Sequence, residues 1–168
     1  DWVEKLAMTI FKGSPADAGQ AVAEAIAEGF STEAIGEAIA LATNQLILRD
    51  NGRRANEVQP NKPEGSVHGD SIGVHACDSA NAWRNLAKAS AGRNAAACLV
   101  LGAYQAAMDR RDGDFLKWER YPRPDIREKV RDVTREDLLK ETEGAIKEKN
   151  QARAAALAER CGKLGLDN

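Results

Sequence analysis

The residues Ser31-Thr-Glu-Ala-Ile-Gly-Glu-Ala-Ile-Ala-Leu-Ala-Thr-Asn-Gln-Leu-Ile47 decide the fold class. Ala34, Ile35, Ala38, Ile39, Ala42, Leu46 and Ile47 recur three and four residues apart. On a helix of 3.6 residues per turn that spacing gathers them on one face. Ser31, just ahead, supplies a side-chain oxygen for the first unpaired backbone N–H groups and caps the helix.

The same pattern repeats on either side. Upstream, Trp2, Leu6 and Ile10 or Phe11 sit at helical spacing, and Lys12-Gly-Ser-Pro15 breaks that first helix. Ser14 and Pro15 start a second helix that runs to about Glu28. It turns Ala18, Val22 and Ala25 or Ile26 inward, and Gly29 ends it in the left-handed conformation. Downstream, Asp50-Asn51-Gly52 is turn chemistry. Residues 53–65 are polar, carry two prolines and form a long loop, a feature compact domains often keep for function. Ser66 opens a long helix reaching about Ser90. Arg93 to Arg110 form a fifth, with Ala96, Leu99, Val100, Ala103 and Ala107 inward.

Residues 112–133 are a connector whose Phe115, Trp118 and Tyr121 pack on the bundle, with a short turn of helix after Asp125, and a long last helix spans 134–161. No stretch alternates with the period of two that a half-buried strand requires. The expected fold is all-α: a single domain over 1–168, arranged as an orthogonal bundle of about six helices.

Composition agrees. A chain of 168 residues suits one domain and buries roughly 70% of its unfolded surface. The apolar share is 43% but aromatics supply only 5%, so the core is one of closely approaching Ala-rich helices. Lys and Arg number 24 against 26 Asp and Glu, with both signs interspersed, which excludes a broad nucleic-acid footprint. No apolar run approaches the roughly 20 residues of a membrane span, and no signal peptide is visible. Cys77, Cys98 and Cys161 form no CxxC and no disulfide framework, which fits a reducing, cytoplasmic setting. Cys77 and Cys98, set among Ala and Val, read as small buried apolar residues. The chain opens on Asp1, which points to a processed terminus or a segment of a longer protein.

The reactive residue types concentrate in His68-Gly-Asp-Ser-Ile-Gly-Val-His-Ala-Cys-Asp78. On a helix starting near Ser66, His68, Ser71, His75, Asp78, Ser79, Ala82 and Asn85 share one polar stripe. Ile72, Ala76, Ala80, Trp83 and Ala87 form the opposite, core-facing side. Imidazole serves as a general acid or base near neutral pH, or ligates a metal. Asp78 lies one turn beyond His75, where it orients the ring, and Ser71 adds a hydroxyl between the two histidines.

Chelation of a divalent ion by His68, His75 and Asp78 is the metal reading. The seven-residue separation of the histidines is roughly 10.5 Å of rise, so carboxylates from another helix would have to complete such a site. The competing reading makes His68 a helix-start residue and His75 a hydrogen-bonded, half-buried side chain. Gly69 and Gly73 cost helix stability, which points to close approach by another backbone or a ligand. Asn44 and Gln45 interrupt the apolar face of the third helix and are candidates to face the stripe.

The stretch Val22 to Ala42, VAEAIAEGFSTEAIGEAIALA, resembles the helix–turn–helix of the carboxymuconolactone decarboxylase and AhpD-like superfamily. Ile72 to Arg84, IGVHACDSANAWR, is similar to the segment that often follows it there. The resemblance implies an all-helical, oligomeric domain with its site between helices, and a proton-transfer role for His75. The AhpD-type members carry a CxxC with a nearby His. Here Cys77 stands alone, so dithiol redox chemistry is not carried over.

Two functions follow as expectations. The first is a histidine-dependent enzyme acting on a small molecule in an interhelical pocket, with His75, His68, Asp78 and Ser71 as the catalytic set. Its chemistry would be proton transfer or metal-assisted oxidation–reduction. The second is a non-catalytic helical oligomerisation or scaffold domain, motivated by the Ala-rich run 152–158 in the last helix. Either way the expected partners are a small molecule and further copies of the chain, or the rest of a larger chain, without nucleic acid or membrane.

Overall fold

The computed structural model describes residues 1–67, 71–110 and 114–166. Among them are nine α-helices and no β-strand, so the chain is all-α. The helices are α1 (Trp2–Lys12), α2 (Pro15–Ala27), α3 (Thr32–Ile47), α4 (Ile72–Ala89), α5 (Gly92–Asp109), α6 (Asp114–Lys117), α7 (Pro124–Lys129), α8 (Leu138–Lys147) and α9 (Gln151–Lys163). No helix among the described residues is long and apolar enough to cross a membrane.

The chain divides into two compact units, one of Asp1–Asp50 with Val67–Trp118, the other of Asn51–Ser66 with Glu119–Asn168. In the first, local chemistry sets the helix ends. Ser14 and Asp17 form a reciprocal capping box at the start of α2, and Ser31 Oγ accepts from the Ala34 N–H at 3.1 Å at the start of α3. Between them Gly29 takes φ +89°, and the N–H groups of Gly29 and Phe30 close back on the carbonyls of Ile26 and Ala25. That pair of bonds satisfies the last carbonyls of α2 and turns the chain into α3. Phe30 then stacks on Trp2 with ring centroids 3.7 Å apart.

Within this unit α3 packs against α1, α4 and α5, and α5 against α2 and α4. Ile10, Val22, Ile35, Ile39, Leu46 and Leu99 are fully buried at the centre, with Ala18, Ala38, Ala76 and Ala103 between them. Alanine at these contacts lets the helices approach closely. Thr43 is the polar exception in the core of α3; its hydroxyl donates to the Ala40 carbonyl at 2.9 Å, so burying it leaves no donor unmet. Phe115 and Trp118 close the core as expected, their rings tilted at 5.0 Å.

The second unit has its own core of Val130, Leu138, Ala145, Ala156 and Leu157. Residues 53–65 form a loop whose ends are pinned: the Arg53 N–H donates to Ser66 O at 3.1 Å and the Gly65 N–H to Arg53 O at 2.8 Å. Gly52, at φ +69°, has no room for a β-carbon, which would collide with the Gly65 backbone. A single 3-10 turn, Ala55–Glu57, and an isolated bridge between Gln59 and Lys62 are its regular features. Tyr121 falls in this unit, where the Arg123 guanidinium lies 4.8 Å over its ring and donates to Asn51 Oδ1 at 3.0 Å.

Three differences from the sequence expectation have local causes. The span 112–133 contains α6, where only a connector is expected, and α7, the expected short turn of helix, which starts at Pro124. The last helix is two, because Lys149 takes φ +58° and Asn150 caps α9 through a bond from the Arg153 N–H at 3.1 Å. The helix expected from Ser66 begins at Ile72. Ser66 Oγ donates instead to the Pro63 carbonyl at 2.5 Å, and Ser71 is the cap.

Candidate functional site

The start of α4 is built around two residues. Ser71 Oγ accepts from the Val74 N–H at 3.1 Å, meeting one of the helix's unpaired donors. Two residues on, Gly73 is buried against the end of α3, where an added β-carbon would lie 2.9 Å from the backbone N and Cα of Ile47. The close approach that a helix glycine implies is thus made by a backbone at Gly73. Gly69 and His68 lie outside the described residues.

Beyond Gly73, α4 divides into three faces. Towards α3, the Cys77 thiol donates to Asn44 Oδ1 at 3.4 Å, and Arg84 reaches Glu33 at 2.8 Å. Lys88 joins the same carboxylate at 3.1 Å. These two cations hold the Glu33 carboxyl below its ordinary range, the hydrogen bond from Lys88 contributing most and that from Arg84 next. Burial pushes the Cys77 thiol up; a hydrogen bond with Thr43 opposes the shift and the Asp78 charge adds to it. A thiol shifted this way stays protonated at neutral pH, which fits a packing residue and not a nucleophile. Gln45 turns to Arg49, whose Nη1 donates to its Oε1 at 2.7 Å.

Towards α5, the Trp83 indole N–H donates to Gln105 Oε1 at 2.8 Å, and Gln105 Nε2 donates to Ser79 Oγ at 3.2 Å. This clasp takes Ser79 out of the polar stripe and gives it a structural partner. It also accounts for Gly102, whose β-carbon would lie 3.0 Å from that of Trp83.

The third face points to solvent. It carries His75, Asp78, Ala82 and Asn85, all exposed. Of the stripe expected from the sequence, His75, Asp78, Ala82 and Asn85 share this face, whereas Ser71 caps the helix and Ser79 turns to α5. Among the described residues no side chain hydrogen-bonds the His75 ring, and no three His, Cys, Asp or Glu side chains gather in a way that could hold an ion. The expected ligand His68 is outside that set.

Next to it, α5 shows a feature that inspection of its buried face passes over. Leu101, Tyr104 and Met108 are 49%, 44% and 52% exposed, and with exposed Ala97 they line one outward edge. The inward residues Leu99, Ala103, Ala106 and Ala107 fill the core on the other side. The signal was in the sequence: 97, 101, 104 and 108 keep helical spacing on the face that the core does not need. No family model, curated protein or solved structure matches this chain.

Proposed function

We propose that the chain is a helical association domain that self-assembles through the outward face of α5. The observation that carries this reading is the apolar edge Ala97, Leu101, Tyr104 and Met108. Half-exposed side chains of this size leave on the order of 300–400 Å² of apolar surface, as large as the biggest patch on a typical monomer.

The occupant we infer is a second copy, because the spacing is the same read in either direction. Two α5 helices related by a two-fold axis perpendicular to them run antiparallel and set Ala97 against the partner's Met108, and Leu101 against the partner's Tyr104. That is the self-complementarity an isologous contact requires. Burying the patch from both copies covers roughly 600–800 Å², below the ~1,200 Å² of a stable interface, so the dimer is weak and reversible. Three unpaired thiols support a reducing setting for it.

Sedimentation equilibrium over a wide concentration range tests the reading. Wild type should show a reversible monomer–dimer step that the double variant Leu101→Glu/Met108→Glu abolishes without loss of helicity. A protein that stays monomeric up to millimolar concentration refutes it.

A second reading rests on His75 and Asp78, which share the outward face of α4 one turn apart. It is the histidine-dependent small-molecule enzyme, with Ser71 and His68 as the further members of its catalytic set and the AhpD-like resemblance as its family context. His75→Asn leaving every turnover intact in a screen of proton-transfer substrates would end it.

A further inference from the structure

The second unit carries a groove that association through α5 does not use. Its walls are α7 with the residues just after it, and α9. Four cations line it, Arg127, Arg131, Arg160 and Lys163, against two carboxylates, Glu128 and Glu159. The buried side chains Val130 and Ala156 form its floor, and its volume is about 220 Å³.

The charges do not cancel. Glu128 is held by Arg131 at 2.6 Å, and Glu159 is shared by Arg127 at 2.9 Å and Lys163 at 3.3 Å. Asp132, outside the groove lining, also pairs with Arg131 at 3.3 Å, so three carboxylates are matched to three of the four cations. Arg160 is anchored by its Nε, which donates to the Val133 carbonyl at 2.7 Å, and this fixes the plane of its guanidinium. The Nε–H of Arg127 is buried with no acceptor among the described residues. A buried donor left unmet is costly, and an oxygen brought in by a ligand would meet it.

We propose that this groove binds a compact dianionic oxyanion, the phosphomonoester group of a small molecule. Guanidinium forks match phosphate oxygens in pairs, and an anchored Arg160 loses little freedom on binding. The uncancelled positive charge selects a dianion over a monoanion. A volume of several water molecules admits the phosphate with a short organic stem.

The experiment is calorimetric titration of the full chain at fixed ionic strength with inorganic phosphate and with glycerol phosphate. Saturable binding of both is expected at pH 7.5, weakening at pH 5.5 as the second proton returns, for a phosphomonoester with a pKa of about 6 and for inorganic phosphate at a somewhat higher pH. Arg160→Gln should weaken binding about tenfold or more, the worth of a charge-assisted hydrogen bond. Because that change also removes the anchor on Val133, Glu128→Gln is the companion: it takes one negative charge from the groove wall, leaving Arg131 only its pair with Asp132 at 3.3 Å, and should tighten binding. A merely structural cluster would not respond in that direction. Absence of saturation, equal affinity for chloride, or weakening by Glu128→Gln each overturns the proposal.

Discussion

Replacing Gly73 by Ala adds one methyl group to the closest approach between α3 and α4. The added carbon would sit 2.9 Å from the N and Cα of Ile47 and 3.1 Å from its Cγ1. Carbon atoms pack comfortably at roughly 3.5–4.0 Å, so the two helices must part by about 0.6–1 Å. The atoms in the way are backbone and cannot rotate aside. Overpacking of this kind costs about 1–3 kcal/mol, while alanine in a helix returns up to about 1 kcal/mol. The net is a loss of about 1–2 kcal/mol, and for a unit of this size each kcal/mol lowers the melting temperature by roughly 4–8 °C.

Gly36 is the control in the same unit. It is also buried in a helix, but its β-carbon would meet only Arg84 side-chain atoms, the nearest at 3.1 Å. That flexible chain can swing away, and its pairing with Glu33 is exposed and screened by solvent, so little is lost. Thermal and urea unfolding followed by circular dichroism should show Gly73→Ala destabilised and Gly36→Ala unchanged or slightly stabilised. If Gly73→Ala matches wild type, or Gly36→Ala loses more, the close-approach argument is refuted.

Ser71→Ala should cost about 1 kcal/mol of stability, the worth of an N-cap, and Ser71→Asp should restore it, as unfolding in urea would show. The folded pKa of Glu33 is depressed, so the stability it contributes is full above the ordinary glutamate range and is lost as pH falls through the folded value. Unfolding measured from pH 7 to pH 3 should therefore lose stability less steeply in Glu33→Gln than in wild type; identical acid limbs would contradict the Lys88 and Arg84 pairing. Cys77, whose thiol is shifted up by burial, should react with iodoacetamide at pH 7.5 more slowly than free cysteine. Faster alkylation would instead mark an activated thiol.

The helices of the first unit were legible because their ends are written in local chemistry. Ser14, Gly29 and Ser31 each act through neighbours within three to five residues, and the apolar period does the rest. The boundaries that escaped depend on choices between near-equal local options. Ser66 and Ser71 are both serviceable caps, and the pinned loop ending at Ser66 leaves the role to Ser71. Lys149 at φ +58° carries none of the Gly or Pro signal that normally marks a helix break.

The site was legible as a stripe and not as an assembly. Periodicity places His75, Asp78 and Ser79 on adjoining positions, but only the partner helix decides that Ser79 meets Gln105 while His75 faces water. Gly73 was read as a mark of close approach, though not whether a helix or a ligand makes it. The outward edge of α5 was missed because attention to a helix's core face treats the opposite face as solvent by default.

The pinned loop has a consequence for biosynthesis. Asn51 takes its hydrogen bond from Arg123, 72 residues further along the chain. A ribosome adding 5–20 residues per second delivers Arg123 roughly 4–14 s after Asn51 has been made. During that interval Asn51 lacks this partner, and the segment 51–66 has only the bonds it makes within itself. The second unit is thus the late-maturing part of the molecule, and a chain cut off before Arg123 would leave that segment open to proteases at every round of synthesis.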